Sequence, residues 1–484
     1  MEPSGVLHIA SLHGGGVDRH VRYIARNVPR PHLLWHASPR ADVLEIPREG
    51  RALPLDAAAL EREPAALDRF LRERRVGLVH AHSLGRAARA RAQSVARRLA
   101  LPTVTTLHDI LFLRAEAFEP GADASPDPAW LTETSAFLHA SAAVLAPSEY
   151  IADLARRHVP GLEVQVIENG SPPRRRDTPA LEPRASFVAR KRRHVAAVLG
   201  AIGPHKGSAV LDELDRRLAG SGIAIVVIGY LDAQVPSGWR GESVFVHGAY
   251  QDDEVPALLR AYGARIALFP NRVPESFSYA LSDLWDAGIP VLVPPEGALG
   301  ERVRRHGGGW LLAQGAGAPE IAAALAQRFD AAHAEELARV ESQLARDDDS
   351  RVPRLDAMTR SLDALYARHS IDPTPPVDVE APAIQSLLAK NLDGALFREE
   401  VARLADEVAQ LRRSIETERG NAKTWIEKLE GDVAALQAEL AREVEARRTF
   451  AEENRQMRDA RDAFERLPSL LRRILLRKIR DARR

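Results

Sequence analysis

The sequence predicts an α/β protein with two doubly wound parallel sheets, followed by a long C-terminal coiled-coil helix. Short apolar runs alternate with amphipathic stretches in two successive series, and a segment rich in proline and arginine, residues 171–183, separates the series. Heptad spacing then begins beyond residue 383. Buried strands that alternate with helices are typical of parallel sheets covered on both faces.

The first series predicts strands at short runs bounded by polar, glycine or proline residues, namely residues 6–10, 33–36, 77–80, 103–107, 142–145 and 164–167. Helical spacing lies between these runs. After the first strand, for example, Val17, Val21, Ile24 and Val28 share one face of a helix. We therefore predict an N-terminal Rossmann-like domain over residues 1–185.

The second series predicts strands at residues 195–199, 223–228, 244–247, 265–269 and 290–293. A second Rossmann-like domain is therefore predicted over residues 186–370. Ligands of doubly wound sheets bind beyond the carboxyl ends of the strands, so we expect the two sheets to face each other across a cleft.

The remainder of the chain predicts three further segments. Residues 371–382 are rich in proline and indicate a stiff linker. In residues 383–466 apolar positions follow a four-three spacing, which predicts a coiled coil that either pairs with another chain or folds back on the globular part. We expect it to form a homo-oligomer or to bind a partner protein. Residues 467–484 form a basic amphipathic tail, which suits an anionic membrane surface or a solvated end.

The composition excludes disulfides, cysteine–zinc sites and thiol nucleophiles, because the 484 residues include no cysteine. The formal net charge is +0, so no nucleic-acid partner is expected. Residues 1–10 lack the basic region of a signal peptide, and no apolar run approaches ~18 residues. We therefore expect a soluble cytoplasmic protein, with the basic tail as a contact to the inner face of the membrane.

A glycine loop follows the first predicted strand and precedes a helix. Gly15 and Gly16 stand in the run His13-Gly14-Gly15-Gly16, where the backbone can approach a diphosphate and the helix offers free amides. A tight turn without a ligand is the alternative. The spacing differs from the dinucleotide pattern G-x-G-x-x-G, which disfavours a nicotinamide oxidoreductase.

Lys206 follows the first strand of the second series and stands between Gly203 and Gly207. It is one of only six lysines in a chain where arginine is the usual cation. A lysine after a strand can reach a phosphate as a point charge. The alternative is an ordinary surface lysine.

A third candidate segment leads from a strand into a helix. Glu275 stands at the start and Asp283 lies eight residues later, which spans about 12 Å along a helix. One carboxylate is placed to hold a sugar and the other a ribose, while Ser276, Phe277 and Ser278 present amides to a diphosphate between them. The alternative is an acid favoured by the helix dipole and a second, exposed acid.

Histidines also stand at the ends of two predicted strands. His108 follows the strand 103–107 and is placed to reach the cleft, although a structural role is the alternative. His80 and His82 lie at the end of another strand. No third ligand is evident beside them in the sequence, so no metal site is expected.

Taken together, these segments resemble the retaining glycosyltransferases of family 4, which have the GT-B fold. The resemblance covers residues 6–365. It rests on the motifs Gly14-Gly15-Gly16, His108-Asp109, Ala146-Pro147-Ser148-Glu149, Glu168-Asn169-Gly170, Lys206-Gly207, the pair Glu275 and Asp283, and Gly297-Ala298 with Glu301.

The resemblance implies a role for each matched position. Lys206 is expected to neutralise the leaving diphosphate, and Gly15 and Gly16 to shape a phosphate loop. Glu275 is expected to contact the donor sugar, Asp283 the ribose, and His108 to lie near the reacting carbon. The implied activity is metal-independent transfer of a hexose, with retention, from a sugar nucleotide to a glycan or lipid-linked acceptor in cell-surface polysaccharide synthesis. No cofactor besides this donor substrate is implied.

Two positions depart from the family pattern. The usual arginine ahead of the lysine is Ala201, and the usual second glutamate is the shorter Asp283. These departures leave a second hypothesis open, in which a catalytically degenerate sugar-binding module serves as a coiled-coil scaffold. A two-domain epimerase is a further alternative within sugar-nucleotide chemistry.

Overall fold

A computed structural model describes residues 3–10, 15–37, 42–82, 85–115, 125–173, 180–231, 237–346 and 351–372, with Ile384 and isolated helical positions between 452 and 466. Residues 1–414 and 415–484 form separate compact units. The fold described below belongs to the first unit. Apart from the isolated positions, the predicted coiled coil lies outside the described residues, as does the whole basic tail.

The first lobe is a mixed sheet flanked by helices. Its strands are β1 (Gly5–Ala10), β2 (His32–His36), β3 (Asp42–Ile46), β4 (Arg51–Leu55), β5 (Val76–Ala81), β6 (Thr103–Thr106), β7 (Ala143–Ala146) and β8 (Gln165–Val166). Its helices are α1 (Gly15–Asn27), α2 (Ala57–Arg62), α3 (Pro64–Glu73), α4 (Arg86–Leu99), α5 (Pro128–His139) and α6 (Glu149–His158). The strand order is β4-β3-β2-β1-β5-β6-β7-β8, and only the β2–β3 and β3–β4 pairs of this sheet are antiparallel.

The second lobe repeats this architecture. Its strands are β9 (His194–Leu199), β10 (Ile223–Ile228), β11 (Gly238–Trp239), β12 (Val244–Gly248), β13 (Ala264–Leu268), β14 (Val291–Val293) and β15 (Gly309–Leu311). Its helices are α7 (Ala185–Val188), α8 (Ser208–Arg217), α9 (Val255–Tyr262), α10 (Tyr279–Asp286), α11 (Gly297–His306), α12 (Ala318–Phe329) and α13 (Ala334–Ala345). The strand order is β11-β12-β10-β9-β13-β14-β15.

Burial explains why these runs form parallel strands. Every residue of β1 and of β10 is buried, and β10 reads Ile-Ala-Ile-Val-Val-Ile without a polar residue. A central parallel strand is covered by helices on both faces, so both sets of its side chains are apolar. Helix α1 instead buries one face through His20, Val21 and Ile24, as an amphipathic surface helix does.

The last described helix, α14 (Leu355–His369), returns to the first lobe although it follows the second sheet in sequence. Met358, Leu362, Leu365 and Tyr366 pack in one apolar cluster with residues of β1 and α1. Its start is held by Leu355, whose amide donates to the carbonyl of Ser171 at 2.9 Å. The helix therefore joins the core of the N-terminal sheet.

The predicted strands are all present, with ends within one residue of those expected. The sequence analysis missed β3, β4, β11 and β15. Strand β3 is buried only at alternate positions, β4 contains Pro54, and β11 and β15 have two and three residues. Strands β4, β11 and β15 lie at sheet edges, where proline and partial exposure are tolerated, and β3 lies beside β4. None of the four has the continuous apolar run that marks a central strand. No helix among the described residues is long and apolar enough to cross a membrane.

The packing of α14 predicts a specific loss of stability. Leu362 is 1% exposed within its cluster, so Leu362→Ala should lower the free energy of unfolding by about 3 kcal/mol through lost burial and a cavity. Leu311→Ala is the matched control, because Leu311 is 39% exposed and its truncation should cost less than about 1 kcal/mol. Urea denaturation of both variants measures the difference. Equal values for the two would contradict the docking of α14.

Candidate active site

The predicted site residues lie at the carboxyl ends of central strands in both lobes. The glycine loop follows β1, His82 follows β5 and His108 follows β6 in the first lobe; Lys206 follows β9 in the second, and the loop 269–278 follows β13. Each sheet runs outward in both directions from its central strand, β1 or β9. Doubly wound sheets bind ligands at such points, because the diverging loops leave a crevice there.

Lys206 and Glu275 face each other within the second lobe. The Lys206 ammonium lies 3.5 Å from Oε1 of Glu275, and the two side chains are 34% and 19% exposed. The same carboxylate oxygen accepts a hydrogen bond from Nδ2 of Asn271 at 2.9 Å. The structure thus brings together the cation and the carboxylate that the sequence analysis selected separately, with both still open to solvent.

Gly297 and Ala298 fix the backbone of Glu275. The amide of Ala298 donates to the carbonyl of Glu275 at 2.9 Å. Gly297 has a φ of +75°, and a Cβ at this position would meet the Glu275 carbonyl oxygen at 2.9 Å. Only glycine fits this conformation and this close approach without strain. The downstream loop therefore supports the carboxylate at the mouth of the site.

Asp283 forms a bidentate ion pair with Arg19 of the first lobe. Nη1 of Arg19 donates to Oδ2 at 2.8 Å, and Nη2 donates to Oδ1 at 3.0 Å. The guanidinium also lies over the ring of Tyr279, 4.6 Å from its centroid. Burial alone lowers the pKa of Arg19, but the hydrogen bonds and charge of Asp283 outweigh burial and raise it. The predicted ribose ligand is thus engaged across the lobe interface.

The segment Ser276–Ser278 leads into α10 and is held by a buried guanidinium. Arg302 is 1% exposed, and its Nη1 donates to the carbonyls of Phe277 at 3.3 Å and Ser278 at 3.0 Å. Burial lowers the pKa of Arg302 to about 10. Phe277 is itself buried, while Ser278 is the N-cap of α10 and its hydroxyl accepts from the amide of Leu281 at 3.3 Å. The amino end of α10 is therefore fixed beside Glu275.

His108 is buried at the interface of the two lobes. Its carbonyl accepts a hydrogen bond from the hydroxyl of Ser276, and its ring packs edge-on against His20 with centroids 4.7 Å apart. Burial lowers the pKa of His108 to about 3, so its imidazole is neutral at pH 7. Gly16, at the start of α1, would bring a Cβ to 3.7 Å from the ring of Tyr279. The glycine loop and His108 therefore adjoin the segment that starts α10.

Two further motifs of the sequence join the lobes. The hydroxyl of Ser148 donates to the carbonyl of Ser276 at 2.8 Å. Glu301 accepts hydrogen bonds from the amide of Tyr150 at 2.7 Å and from that of Glu149 at 3.3 Å, so its carboxylate sits at the amino end of α6. These contacts hold the first lobe against the loop that carries Glu275.

Sequence reasoning missed Arg19, His20 and Arg302. The sequence could have indicated the first two, because they lie one turn after Gly15 and Gly16 on the helix that follows the glycine loop. Arg302 gave no signal, since its burial results from the way α11 packs on α10. A cavity of about 220 Å³ lies beside the loop 269–274, but neither Lys206 nor Glu275 lines it.

Comparison with known proteins connects this geometry to a family. Residues 14–175, about a third of the chain, match the model of Glycosyltransferase Family 4. This match covers most of the first lobe. The sequence matches no curated protein.

Solved structures are similar over both lobes. Sucrose-phosphate synthase from Thermosynechococcus elongatus has 16% identity and a TM-score of 0.56, over 76% of this chain and 99% of its own. HepE from Anabaena, in complex with UDP and glucose, has 15% identity and a TM-score of 0.51, over 75% of this chain and 100% of its own. A glycosyltransferase from Rickettsia africae has 13% identity and a TM-score of 0.51, over 76% and 99%. The two lobes therefore have the GT-B fold.

The Arg19–Asp283 pair predicts a measurable coupling. The two side chains are 15% and 18% exposed, so Arg19→Gln leaves the Asp283 carboxylate largely buried without its partner. Asp283→Asn leaves Arg19 with the exposed Asp252, 3.5 Å away, in place of a bidentate pair. Each single change should destabilise the protein by about 2–4 kcal/mol, and the double variant by less than the sum. The expected coupling energy is about 1–3 kcal/mol by urea denaturation. Strict additivity would show that the two groups do not interact in solution.

Proposed function

We propose that this protein is a glycosyltransferase that moves a hexose from a sugar nucleotide to an acceptor. The observation that carries the proposal is the pairing of Lys206 with Glu275, 3.5 Å apart, at the carboxyl ends of adjacent strands β9 and β13. In a sugar nucleotide the bond to be broken joins an anomeric carbon to a diphosphate. A lysine can bind the diphosphate at one end of this bond, and a carboxylate beside it can bind hydroxyls of the sugar at the other end. The family match of the first lobe supports the same chemistry.

In this proposal Lys206 leaves Glu275 when the donor binds and neutralises the diphosphate. The amino end of α10 adds the partial positive charge of its free amides at the same place. Glu275 then accepts hydrogen bonds from hydroxyls of the donor sugar. Because negative charge grows on the diphosphate as the glycosidic bond breaks, a fixed cation stabilises the transition state more than the bound donor.

Retention is the proposed stereochemical outcome. The acceptor hydroxyl attacks on the face that the diphosphate leaves, and the leaving phosphate takes the proton of that hydroxyl. His108 lines this region from the first lobe, and no metal ion takes part in the step. The protein contributes chiefly by positioning both substrates and by stabilising charge.

The proposed acceptor is a glycan or a lipid-linked sugar, with a role in cell-surface polysaccharide synthesis. UDP-glucose is the first donor to test, since the similar HepE structure holds UDP and glucose. Self-association or a partner through residues 383–466, and a membrane contact through residues 467–484, stay predictions of the sequence.

Loss of either group of the Lys206–Glu275 pair should strongly lower turnover. Lys206→Ala should lower kcat/KM by about 10²–10³-fold, because the diphosphate loses its fixed cation. Glu275→Gln should lower it by a similar factor through weaker contacts to the sugar. Release of UDP from UDP-glucose and other UDP-sugars, with and without a mixture of glycan and lipid-linked acceptors, measures the effect. Lys191→Ala is the matched control, because Lys191 is an exposed lysine of the same lobe.

Other outcomes would favour the competing hypotheses. Unchanged turnover in both variants would defeat the assignment of the site. The scaffold hypothesis predicts that the wild-type protein binds UDP-sugars without turnover. Its biological role should then survive the Lys206→Ala, Glu275→Ala double change but be lost on truncation at residue 382. Conversion of the donor to an isomeric sugar without acceptor would identify an epimerase.

Asp283 should affect donor binding more than chemistry. A ribose contact is made equally in the ground and transition states, so Asp283→Asn should raise KM for the donor by about 10-fold and leave kcat nearly unchanged. The Arg19→Gln, Asp283→Asn double variant separates an effect on donor binding from an effect on stability, because it also removes the Arg19 charge that the single variant leaves without Asp283. A KM that stays raised in the double variant assigns the effect to the missing carboxylate. A KM restored to the wild-type value would rule out the ribose contact.

A further inference from the structure

Six buried histidines of the first lobe form one cluster behind the candidate active site. None of their side chains is more than 8% exposed, and the members are His8, His20, His32, His80, His82 and His108. Among the described residues, two triads have ring nitrogens within 4.8 Å of one another. One triad is His8, His80 and His82, and the other is His20, His82 and His108. Buried imidazoles in such numbers need an explanation, because apolar side chains fill the same space at less cost.

A backbone carbonyl sets the direction of the hydrogen bonds through this cluster. Nε2 of His32 lies 3.2 Å from the carbonyl oxygen of Val28, which can only accept, so His32 carries its proton on Nε2. Nδ1 of His32 must then accept from Nε2 of His8 at 2.9 Å. In turn, Nδ1 of His8 accepts from Nε2 of His82 at 2.9 Å. His82 therefore keeps its lone pair on Nδ1.

This lone pair selects the second triad. Nδ1 of His82 lies 3.0 Å from Nε2 of His108, while its Nε2 faces His8. A metal at the first triad would compete with existing hydrogen bonds, because both ring nitrogens of His80 are bonded to the hydroxyls of Tyr366 and Thr106, each at 2.7 Å. A metal at the second triad leaves these hydrogen bonds intact, and His82 still donates its Nε2 proton to Nδ1 of His8. Metal-bound histidines show this pattern, in which the N–H that faces away from the metal is donated to a fixed acceptor.

We infer that His20, His82 and His108 bind a divalent transition metal of the zinc class. Neutral imidazoles without a carboxylate favour zinc and its neighbours over magnesium or calcium. Tetrahedral zinc with bonds of ~2.0–2.1 Å holds its ligand nitrogens about 3.4 Å apart. His82 and His108, now 3.0 Å apart, need to separate slightly, while His20, whose nitrogen lies within 4.8 Å of theirs, needs to move closer. Three protein ligands leave the fourth position for a water molecule. His20 Nδ1 also lies 3.5 Å from the hydroxyl of Tyr279, so the site adjoins the second lobe.

The sequence analysis expected no metal, because only the His80–His82 pair was visible as a local pattern. The triad joins residues from α1 and from the ends of β5 and β6, which only the fold brings together. The inference of a metal site does not rest on the proposed transferase activity. Its test reads the metal itself, so that either conclusion can fail alone.

Cobalt provides the direct probe. Full-length protein without a histidine tag is stripped with a chelator and titrated with Co²⁺, and visible absorption is recorded. We expect one equivalent to give the intense bands of a tetrahedral site, and one equivalent of Zn²⁺ to abolish them. The wild-type titration decides the matter even where a variant fails to fold. Absence of saturable bands, together with no zinc retained through dialysis by elemental analysis, would overturn the inference.

Variants then identify the ligands. His20→Gln and His108→Gln should each weaken Co²⁺ binding by at least about 100-fold, and His8→Gln by about 10-fold, since His8 only orients His82. His80→Gln should leave the affinity unchanged, which separates the two triads. His139→Ala is the control, because His139 is exposed at the end of α5. A loss of binding in His80→Gln with full binding in His20→Gln would contradict the assignment.

Discussion

The close approach of two loops in the second lobe determines whether the candidate site exists. Gly207 has a φ of +87°, and a Cβ there would lie 2.1 Å from the carbonyl oxygen of Pro270. Any other residue would push the loop after β9 away from the loop after β13. Lys206 immediately precedes this glycine, and Glu275 lies in the same loop as Pro270, between β13 and α10. Backbone packing therefore brings Lys206 and Glu275 within reach of each other, and their charged atoms lie 3.5 Å apart.

Members of both charged pairs of the site gain contacts to the donor in the proposed reaction. Lys206 is paired with Glu275, and Arg19 with Asp283. In a partly buried site an unpaired charge is costly, so each group needs a partner before the donor arrives. A sugar nucleotide offers a diphosphate for the cation and hydroxyls for the carboxylates. Donor binding thus replaces one set of satisfied groups by another, which keeps its net cost low.

The sequence was informative where the signal was local. Strand positions followed from continuous apolar runs, and Lys206, Glu275 and Gly297 followed from short motifs beside strand ends. The Arg19–Asp283 pair was invisible, because its members are 264 residues apart in sequence and meet only when the lobes dock. The return of α14 to the first lobe was missed for the same reason, since an amphipathic helix does not specify which sheet it covers. Strands β3, β4, β11 and β15 were missed because each is either very short or only partly buried.

Helix α1 joins the three features that the first lobe contributes to the interface. Gly15 and Gly16 begin it, Arg19 reaches Asp283, and His20 reaches the histidine cluster. These residues lie within about one and a half turns, or about 8 Å of helix at ~1.5 Å per residue. A rigid helix moves as one body, so a shift that releases Asp283 for a ribose also moves His20 relative to His82 and His108. Donor binding and metal binding would then be coupled through α1, and by linkage each would change the affinity for the other by the same factor.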